Sequence, residues 1–399
     1  MSHEDFQRWI NEVMPKIIEN LGPNVEKVRY ELRETTGIFM ISNIYRVHLH
    51  FKNKISGQNE ELSMVLKRPM PGFNEITHIE FHNEILFYQI YIRPDETYAR
   101  CFYAKEEPPI DSVIALENVN GRGYYPCPHV YNPPLDYTLA AIRELGRFHG
   151  KGYVMKEMQP EKFFDIVARI QEVRYTKRAE NIYEFIANIQ SVRVVEYLRS
   201  QGHDTVFCDK MEALFSNSFD EVMMKTVQPL EPLATLCHGD FTLNNILFKT
   251  EGDGQYRPML IDFALIRYST PVIDLSTHLF LCCSNEIRKN KFSEIMRAYY
   301  DALKEYLLDA GIQDIEKYSY NALLDDFSRG ALFGFMLMPS FLSVLLGHVS
   351  PETIRKEILD LGALESAKKM KYAGGDKVSK ILADALLHLR DLGCLKYFL

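Results

Sequence analysis

The sequence predicts an α+β protein with two parts, a small sheet-forming part at residues 1–118 and a larger, mostly helical part at residues 119–399. Apolar and polar residues alternate in YRVHLHF (45–51) and LSMVLK (62–67), which is the period of half-buried strands. After Asn118, beginning with LDYTLAAIRELGRFHG, apolar residues recur at helical spacing instead. With 399 residues, 46% of them hydrophobic, the chain can bury the core that two such lobes require.

The elements of the first part follow in order. MSHEDFQRWINEVMPKI predicts an amphipathic helix and lacks the uninterrupted apolar core of a secretory signal. The two alternating runs, separated by the polar stretch KNKISGQNEE, predict an antiparallel hairpin. A helical pattern over 74–92 and two further strand candidates, RCFYAKE and SVIALEN, complete a small antiparallel sheet with one main helix.

Charge and cysteine content limit the classes of partner and compartment. The net charge of -8 leaves no basic excess to neutralise phosphates, so no nucleic-acid partner is expected. The seven cysteines are scattered without CxxC spacing, which predicts neither a disulfide framework nor a zinc site. Reduced thiols favour a cytoplasmic protein, and no protein partner is evident.

One apolar segment, Gly330 to Gly347, has no charged residue and approaches the length of a membrane span. Pro339 interrupts it, and a proline removes a helical hydrogen bond that lipid cannot replace. We therefore expect two short buried helices and no membrane span.

The stretch CHGDFTLNNILF and the residues after it contain the groups that carry chemistry. NNILF, the polar turn KTEGDGQYRP and MLIDF predict a hairpin that brings Asn245 and Asp262 side by side, with Asp240 on the preceding loop. Magnesium prefers such oxygen ligands, and phosphoryl transfer depends on magnesium and on positioning. Asn245 and Asp262 are the predicted metal ligands, and Asp240 is the predicted catalytic base for an attacking hydroxyl.

The pattern His-x-Asp-x4-Asn, followed by a strand-end Asp-Phe, resembles the catalytic and metal-binding loops of protein-kinase-like folds, with His238 in a supporting role. Such a fold needs a strand lysine for the phosphates and a helix glutamate that orients it. Lys67 and Glu84 fit these positions. Glu80, one turn from Glu84, is the alternative, although the run EILFY favours burial of Glu84.

The rest of the nucleotide site is less distinct. Backbone groups around Glu117 and Val119, at the end of a predicted strand, can hydrogen-bond an adenine edge. The only candidate for a phosphate-covering loop is ETTGIFMIS, in which Gly37 is the single glycine. Hydroxyl groups such as that of Ser42 would then have to bind the phosphates together with backbone N–H groups.

A protein kinase is disfavoured. Gly239 replaces the arginine of the HRD motif, and Asp262 is followed by Asp274 after only 274 − 262 = 12 positions, with no activation loop between them. The chain therefore offers no visible platform for a peptide substrate.

These residues together resemble the ecdysteroid kinase-like family, also called CHK kinase-like, within the aminoglycoside phosphotransferase and choline kinase group. The resemblance covers nearly the whole chain and rests on TTGIFMISNIYRV, LK at 66–67, Glu84 with FY at 87–88, LENVNGRGY, ELGRFHG, LCHGDFTLNNILF and IDFALIRYSTPVIDLSTHL. It implies ATP- and Mg²⁺-dependent phosphorylation of a hydroxyl on a small molecule, steroid-like (an ecdysteroid) or xenobiotic, in the cytoplasm. It also implies that Asp274 braces the catalytic loop; alternatively, Asp274 caps the following helix.

Two departures from the family pattern, Phe241-Thr242 and Ala264, remove no ligand but bear on the identity of the acceptor. The poor glycine loop leaves a second hypothesis, a catalytically inactive binding protein of the same fold for nucleotide or an apolar ligand.

Overall fold

The structure, a computed structural model, describes residues 3–34, 42–70, 74–93, 96–178 and 181–399. The chain divides into two compact units, Met1–Tyr125 with Ile261–Ala264, and Pro126–Leu260 with Leu265–Leu399. The first unit continues past the predicted boundary at Asn118 and takes in a short later segment that carries Asp262.

The first unit is an antiparallel sheet with two helices, one before the first strand and one between the third and fourth strands. Its elements are α1 (His3–Asn20), β1 (Val25–Glu34), β2 (Ser42–Asn53), β3 (Asn59–Pro69), α2 (Asn74–Leu86) with a π-helical turn (Phe87–Tyr91), β4 (Cys101–Lys105), β5 (Val113–Glu117) and a 3₁₀ turn (Val119–Arg122). The five strands have the order β1-β2-β3-β5-β4, and each neighbouring pair is antiparallel. The predicted hairpin is confirmed, since β2 pairs with β3 and Val47 lies opposite Met64.

The predicted N-terminal helix is also confirmed, and it contributes five of the twelve buried residues in one core cluster of this unit. Trp9 and Ile17 of α1 pack in one buried cluster with Val47, Leu49 and Leu66 of the sheet. Burying such side chains contributes on the order of 2 kcal/mol each. Because side chains alternate along a strand, the opposite face of β3 carries Ser63, Val65 and Lys67.

Strand β1 was not predicted from the sequence. Its pairing with β2 shifts in register between Glu26 and Arg29, and Lys27 has a positive φ of 54°. The irregularity puts Val25 out of phase with Val28, Tyr30 and Leu32, which alternate with charged residues.

The second unit is mostly helical, as predicted. Its helices are α3 (Leu135–Met158), α4 (Pro160–Arg169), α5 (Ile182–Phe185), α6 (Val192–Ser200), α7 (Thr205–Phe215), α8 (Val272–Cys282), α9 (Asn285–Asp309), α10 (Tyr320–Gly330), α11 (Leu332–Leu345), α12 (Pro351–Leu361), α13 (Ala363–Met370) and α14 (Gly375–Asp391). Short strands are β6 (Tyr125–Pro126, at the boundary of the units), β7 (Thr235–Cys237), β8 (Ile246–Thr250), β9 (Tyr256–Leu260) and β10 (Arg267–Ser269). Single turns of π or 3₁₀ helix lie at Ile186–Gln190, Phe219–Met224, Leu243–Asn245, Glu316–Tyr318 and Cys394–Tyr397.

The small strands position the loop that begins with His238, Gly239 and Asp240, called the HGD loop below. The predicted hairpin is confirmed as β8 and β9, in which Ile246 lies opposite Leu260. Strand β7, which leads into His238, pairs antiparallel with β10, so that Cys237 lies opposite Arg267. The loop is therefore fixed at both of its ends by strand pairing.

The prediction of a helix break at Pro339 is wrong. Helix α11 runs through Pro339, and the break lies at Ala331, where the helical pieces Glu316–Gly330 and Leu332–Leu345 meet at 51°. Most of α11 is buried, and packing offsets the loss of about 3 kcal/mol that an internal proline causes. Among the residues described, no single helix has the length and apolar composition to cross a membrane; this bent pair reaches both only when its two pieces are taken together.

Candidate active site

In the first unit, Lys67 lies at the centre of a three-residue charge cluster. Its ammonium Nζ lies 2.5 Å from Glu84 Oε2 and 3.2 Å from Asp262 Oδ1. Lys67 and Glu84 are only 6% and 1% exposed, whereas the Asp262 side chain is 44% exposed. Of the two glutamates considered from the sequence, Glu84 is the one that pairs with Lys67.

Burial and charge act in opposite directions on this cluster. Burial alone would lower the pKa of Lys67, but the charges of Asp262 and Glu84 together raise it above its ordinary value. Burial raises the pKa of Glu84 to about 7, although the Lys67 charge acts against this. Lys67 therefore remains an ammonium, and it has three N–H donors, of which the carboxylates use two.

Asp262 adopts an unusual backbone conformation. Its φ is +65°, a left-handed value that a non-glycine residue rarely adopts. The following residue, Phe263, is buried and stacks on Phe87 with ring centroids 3.5 Å apart and planes 16° from parallel. Asn83 Nδ2 donates to the Ala264 carbonyl oxygen at 3.2 Å. These contacts keep the strained residue in place.

In the second unit, Asp274 on the first turn of α8 holds the HGD loop. Its carboxylate accepts hydrogen bonds from the backbone N–H groups of His238, at 2.6 Å, and Gly239, at 2.8 Å. Its Oδ2 also lies 3.0 Å from Nε2 of His149. Burial would raise the pKa of Asp274, but the partner His149, nearby His238 and the Gly239 N–H together lower it. Asp274 is therefore an ionised acceptor for the loop.

His149 was missed as a supporting residue. It lies on α3, is fully buried, and its Nδ1 lies 2.7 Å from the Tyr299 hydroxyl of α9. The sequence offers one signal, a histidine beside the apolar stripe of ELGRFHG, but a stripe does not identify the distant partner. Asp274 and Tyr299 come from elements more than a hundred residues away.

The backbone conformation of Gly239 explains why a glycine stands at the position of the arginine in the HRD motif. Its φ is +82°, and a Cβ atom there would lie 1.9 Å from the carbonyl oxygen of Leu265. Any side chain at this position would collide with backbone, so only glycine fits.

Asp240 and Asn245 are joined to each other. The Asn245 amide Nδ2 donates to the Asp240 backbone oxygen at 2.9 Å and to its carboxylate Oδ2 at 3.2 Å. The Asp240 N–H donates to Nδ1 of His238 at 3.3 Å. Asp240 is half-buried and Asn245 is 6% exposed. Since the amide nitrogen of Asn245 is engaged, its carbonyl oxygen is the atom that a cation can use.

The other predicted nucleotide residues are placed as follows. Ser42 is the first residue of β2, opposite Pro69, and Gly37 lies outside the described residues. The Glu117 N–H donates to the Arg100 carbonyl oxygen at 2.8 Å, and the Glu117 carboxylate Oε2 lies 3.2 Å from Arg122 Nη1. Val119 is buried.

A pocket of about 290 Å³ lies on the sheet of the first unit. Its lining includes His48, His50, Glu61, Ser63, Asn118 and Gly121. Ser63 shares the strand face of Lys67 and lies four residues before it, roughly 13 Å along the strand. Within the first unit, a polar pocket and a buried ammonium thus lie on one face of β3.

The structure thus brings together Lys67, Glu84 and Asp262 in the first unit. In the second unit it brings together His238, Asp240, Asn245 and Asp274, with His149 as an additional member.

The solved structures that resemble this one share little sequence with it. An ethanolamine kinase from Plasmodium vivax is 11% identical, with a TM-score of 0.43, over 96% of this chain and 86% of that one. The GDP complex of wild-type aminoglycoside 2'-phosphotransferase-IIIa is 12% identical, with a TM-score of 0.44, over 95% of this chain and 99% of that one. No curated protein matches the chain.

A family model, by contrast, matches a continuous segment of the sequence. The match extends over residues 36–312 and therefore includes Lys67, Glu84, the HGD loop, Asp262 and Asp274. Since this segment is more than half of the 399 residues, the chain belongs to the ecdysteroid kinase-like family.

Proposed function

We propose that the protein is an ATP-dependent small-molecule kinase that transfers the γ-phosphoryl group of ATP to a hydroxyl group of a small acceptor. The observation that carries this proposal is the cluster of Lys67 with Glu84 and Asp262. A buried ammonium held by two carboxylates, with a third N–H left to donate, suits the orientation of phosphate oxygens. A purely structural ion pair would not need a third, half-exposed carboxylate on a strained backbone.

Asp240 is the proposed catalytic base. As the acceptor oxygen forms its bond to the γ-phosphorus, the carboxylate takes the hydroxyl proton, while the bond from the γ-phosphorus to its bridging oxygen breaks and ADP leaves with the electron pair. The hydrogen bond from Asn245 orients the carboxylate. Asp274 and His149 act at a distance, because they fix the backbone from which Asp240 projects.

Asn245 and Asp262 are the proposed magnesium ligands. Both offer oxygen atoms, the donor class that Mg²⁺ prefers, and the half-exposed Asp262 carboxylate is accessible to a solvated ion. When bound, the ion supplies charge that stabilises the transferring phosphoryl group. The chain's own residues then hold the phosphates, through Lys67, and accept the proton, through Asp240.

The base of the nucleotide is proposed to bind in the pocket beside His48, Ser63 and Asn118. The distance along β3 from Ser63 to Lys67 suits a molecule with a flat ring at one end and phosphates at the other. Because the Glu117 N–H is already used, the Glu117 carbonyl and the Val119 N–H are the backbone groups proposed to contact the base edge.

The acceptor is proposed to be a hydroxylated steroid of the ecdysteroid type or a hydroxylated xenobiotic, as the family suggests. The test is a panel of hydroxylated sterols, amino alcohols and xenobiotics incubated with ATP and Mg²⁺, with products identified by mass spectrometry. We expect one acceptor class to gain a phosphate, and the gain to stop when EDTA removes the metal. Stabilisation by ATP without transfer to any acceptor would instead favour a non-catalytic nucleotide-binding protein.

A further inference from the structure

Two buried polar atoms beside the Lys67 cluster have no hydrogen-bond partner among the residues that the structure describes. They are the hydroxyl of Tyr88 and Oε1 of Glu84, the carboxylate oxygen that does not contact Lys67. Native proteins rarely leave such atoms unpaired, because an unsatisfied buried group costs about 1–3 kcal/mol. Residues four apart on a helix lie on the same face, so both atoms belong to one side of α2 and its π-helical turn.

The two atoms are chemically complementary. A tyrosine hydroxyl donates a hydrogen bond, and an ionised carboxylate oxygen only accepts one. Burial and the nearby carboxylates of Glu84 and Asp262 raise the pKa of Tyr88 well above its ordinary value, so the hydroxyl keeps its proton. These acidic neighbours are potential acceptors for a donated hydrogen bond.

The ring of Tyr88 has little freedom to turn away. Tyr88 is 8% exposed. Its ring packs edge-to-face against two other rings. The ring centroids of Tyr88 and Phe87 are 5.6 Å apart, with an angle of 87° between the planes, and those of Tyr88 and Phe263 are 5.9 Å apart, with an angle of 81°. π-Helical turns such as Phe87–Tyr91 frequently occur at functional sites. The aromatic contacts therefore fix the direction of the hydroxyl.

We propose that Tyr88 is a positioning residue whose hydroxyl donates, through one buried water molecule, to Oε1 of Glu84. A buried water with two or more polar partners is a common structural element in proteins. The water would hold one oxygen of the carboxylate while Lys67 holds the other, so that Glu84 orients the ammonium toward the phosphates. This inference rests on the proposed nucleotide-binding role of Lys67, and it adds a residue and a water site to it.

The first test is Tyr88→Phe, which removes one oxygen atom and keeps the ring. We expect the Kd for ATP with Mg²⁺ to rise about tenfold, in line with the loss of a hydrogen bond to a charged group. The control is Tyr91→Phe, which removes a hydroxyl from the same turn and should leave the Kd within about twofold of wild type. Equal affinity of wild type and Tyr88→Phe would overturn the inference.

A second test does not depend on the proposed function. If the hydroxyl is engaged, Tyr88→Phe lowers the Tm, whereas deletion of a truly unpaired buried hydroxyl raises it. In a Glu84→Gln background the effect of Tyr88→Phe on Tm should shrink, because the two groups act as a unit. Fully additive effects would contradict the coupling. If wild type bound no nucleotide yet this coupling was present, the proposed function would fail and the water site would stand.

Discussion

At the scale of single residues, the site depends on a lysine that is buried and doubly paired. Truncating one partner of a buried ion pair is costly, because the remaining charge is left in a medium that solvates it poorly. Lys67 faces Glu84 at 2.5 Å with almost no solvent on either side chain. This residue therefore contributes both to the stability of the first unit and to the proposed binding of phosphates.

We expect Lys67→Met to lower the free energy of unfolding by about 3 kcal/mol and to raise the KM for ATP at least tenfold. Urea unfolding and steady-state kinetics measure the two effects. Lys52→Met is the matched control, since Lys52 is only half-buried and lies 4.0 Å from Glu26, a pair that contributes less than about 1 kcal/mol. An unchanged KM for ATP would contradict the proposed role of Lys67 in nucleotide binding.

At the scale of elements, the HGD loop is shaped by a glycine, and the chain provides a comparison for it. Gly239 and Gly254 both have a φ of +82°, but a Cβ atom at Gly254 meets nothing within 4 Å. Gly254→Ala should cost about 1 kcal/mol for the left-handed backbone alone. Gly239→Ala should cost about 3 kcal/mol or more, because steric overlap with Leu265 is added. Equal unfolding midpoints for the two variants would contradict the proposed packing of the loop.

A buried histidine on helix α8, next to the HGD loop, predicts that the protein loses stability in acid. His278 is fully buried, its ring lies 5.0 Å from that of Phe241, and burial lowers its pKa to about 4. The unfolded chain, with an ordinary histidine pKa near 6.5, binds the proton more readily, so stability falls as the pH drops from about 6.5 to 4. The loss should reach about 3 kcal/mol at the acid end.

Urea unfolding between pH 7.5 and 4.5 checks this sign. The slope of stability against pH should be shallower in His278→Leu than in wild type, and it should not change in His129→Leu, since His129 is exposed. A slope that stays the same in His278→Leu would show that this histidine is not the titrating group.

At the scale of the whole molecule, the first unit is built from two separate segments of the chain, Met1–Tyr125 and Ile261–Ala264. Asp262 and Phe263 belong to that unit through Lys67 and Phe87, although the residues on both sides of Ile261–Ala264 belong to the other. Loss of the first unit would release this segment, so we expect both units to unfold in one transition. Trp9, the single tryptophan, reports on the first unit, and far-UV circular dichroism reports mainly on the helices of the second. Separate midpoints for the two probes would contradict this expectation.

The sequence predicted elements whose signal is local. The alternation in β2 and β3, the polar turn of the β8–β9 hairpin and the apolar stripe of α3 each lie within one short window. The Lys67–Glu84 pair was predicted from order along the chain and from the resemblance to a known fold. Asp262 was predicted as a metal ligand, and its contact with Lys67 was not predicted.

Features that depend on contacts between distant segments could not be predicted. The bonds from His149 to Asp274 and Tyr299 join three helices, and no local pattern identifies such partners. The continuation of α11 through Pro339 depends on burial that offsets the missing hydrogen bond. In α11 tertiary packing therefore overrode the local rule. Strand β1 is different, because Val28, Tyr30 and Leu32 alternate in its sequence after the register shift.

The central claim is that Asp240 acts in chemistry rather than in binding, and Asp240→Asn tests it most directly. The variant keeps the size of the side chain and removes its capacity to take a proton, and Asp253→Asn, in the exposed turn between β8 and β9, is the control. ATP affinity and the rate of phosphoryl transfer are measured side by side. We predict an ATP Kd within about twofold of wild type and a transfer rate at least about a hundredfold lower. Undiminished transfer by Asp240→Asn would contradict the claim.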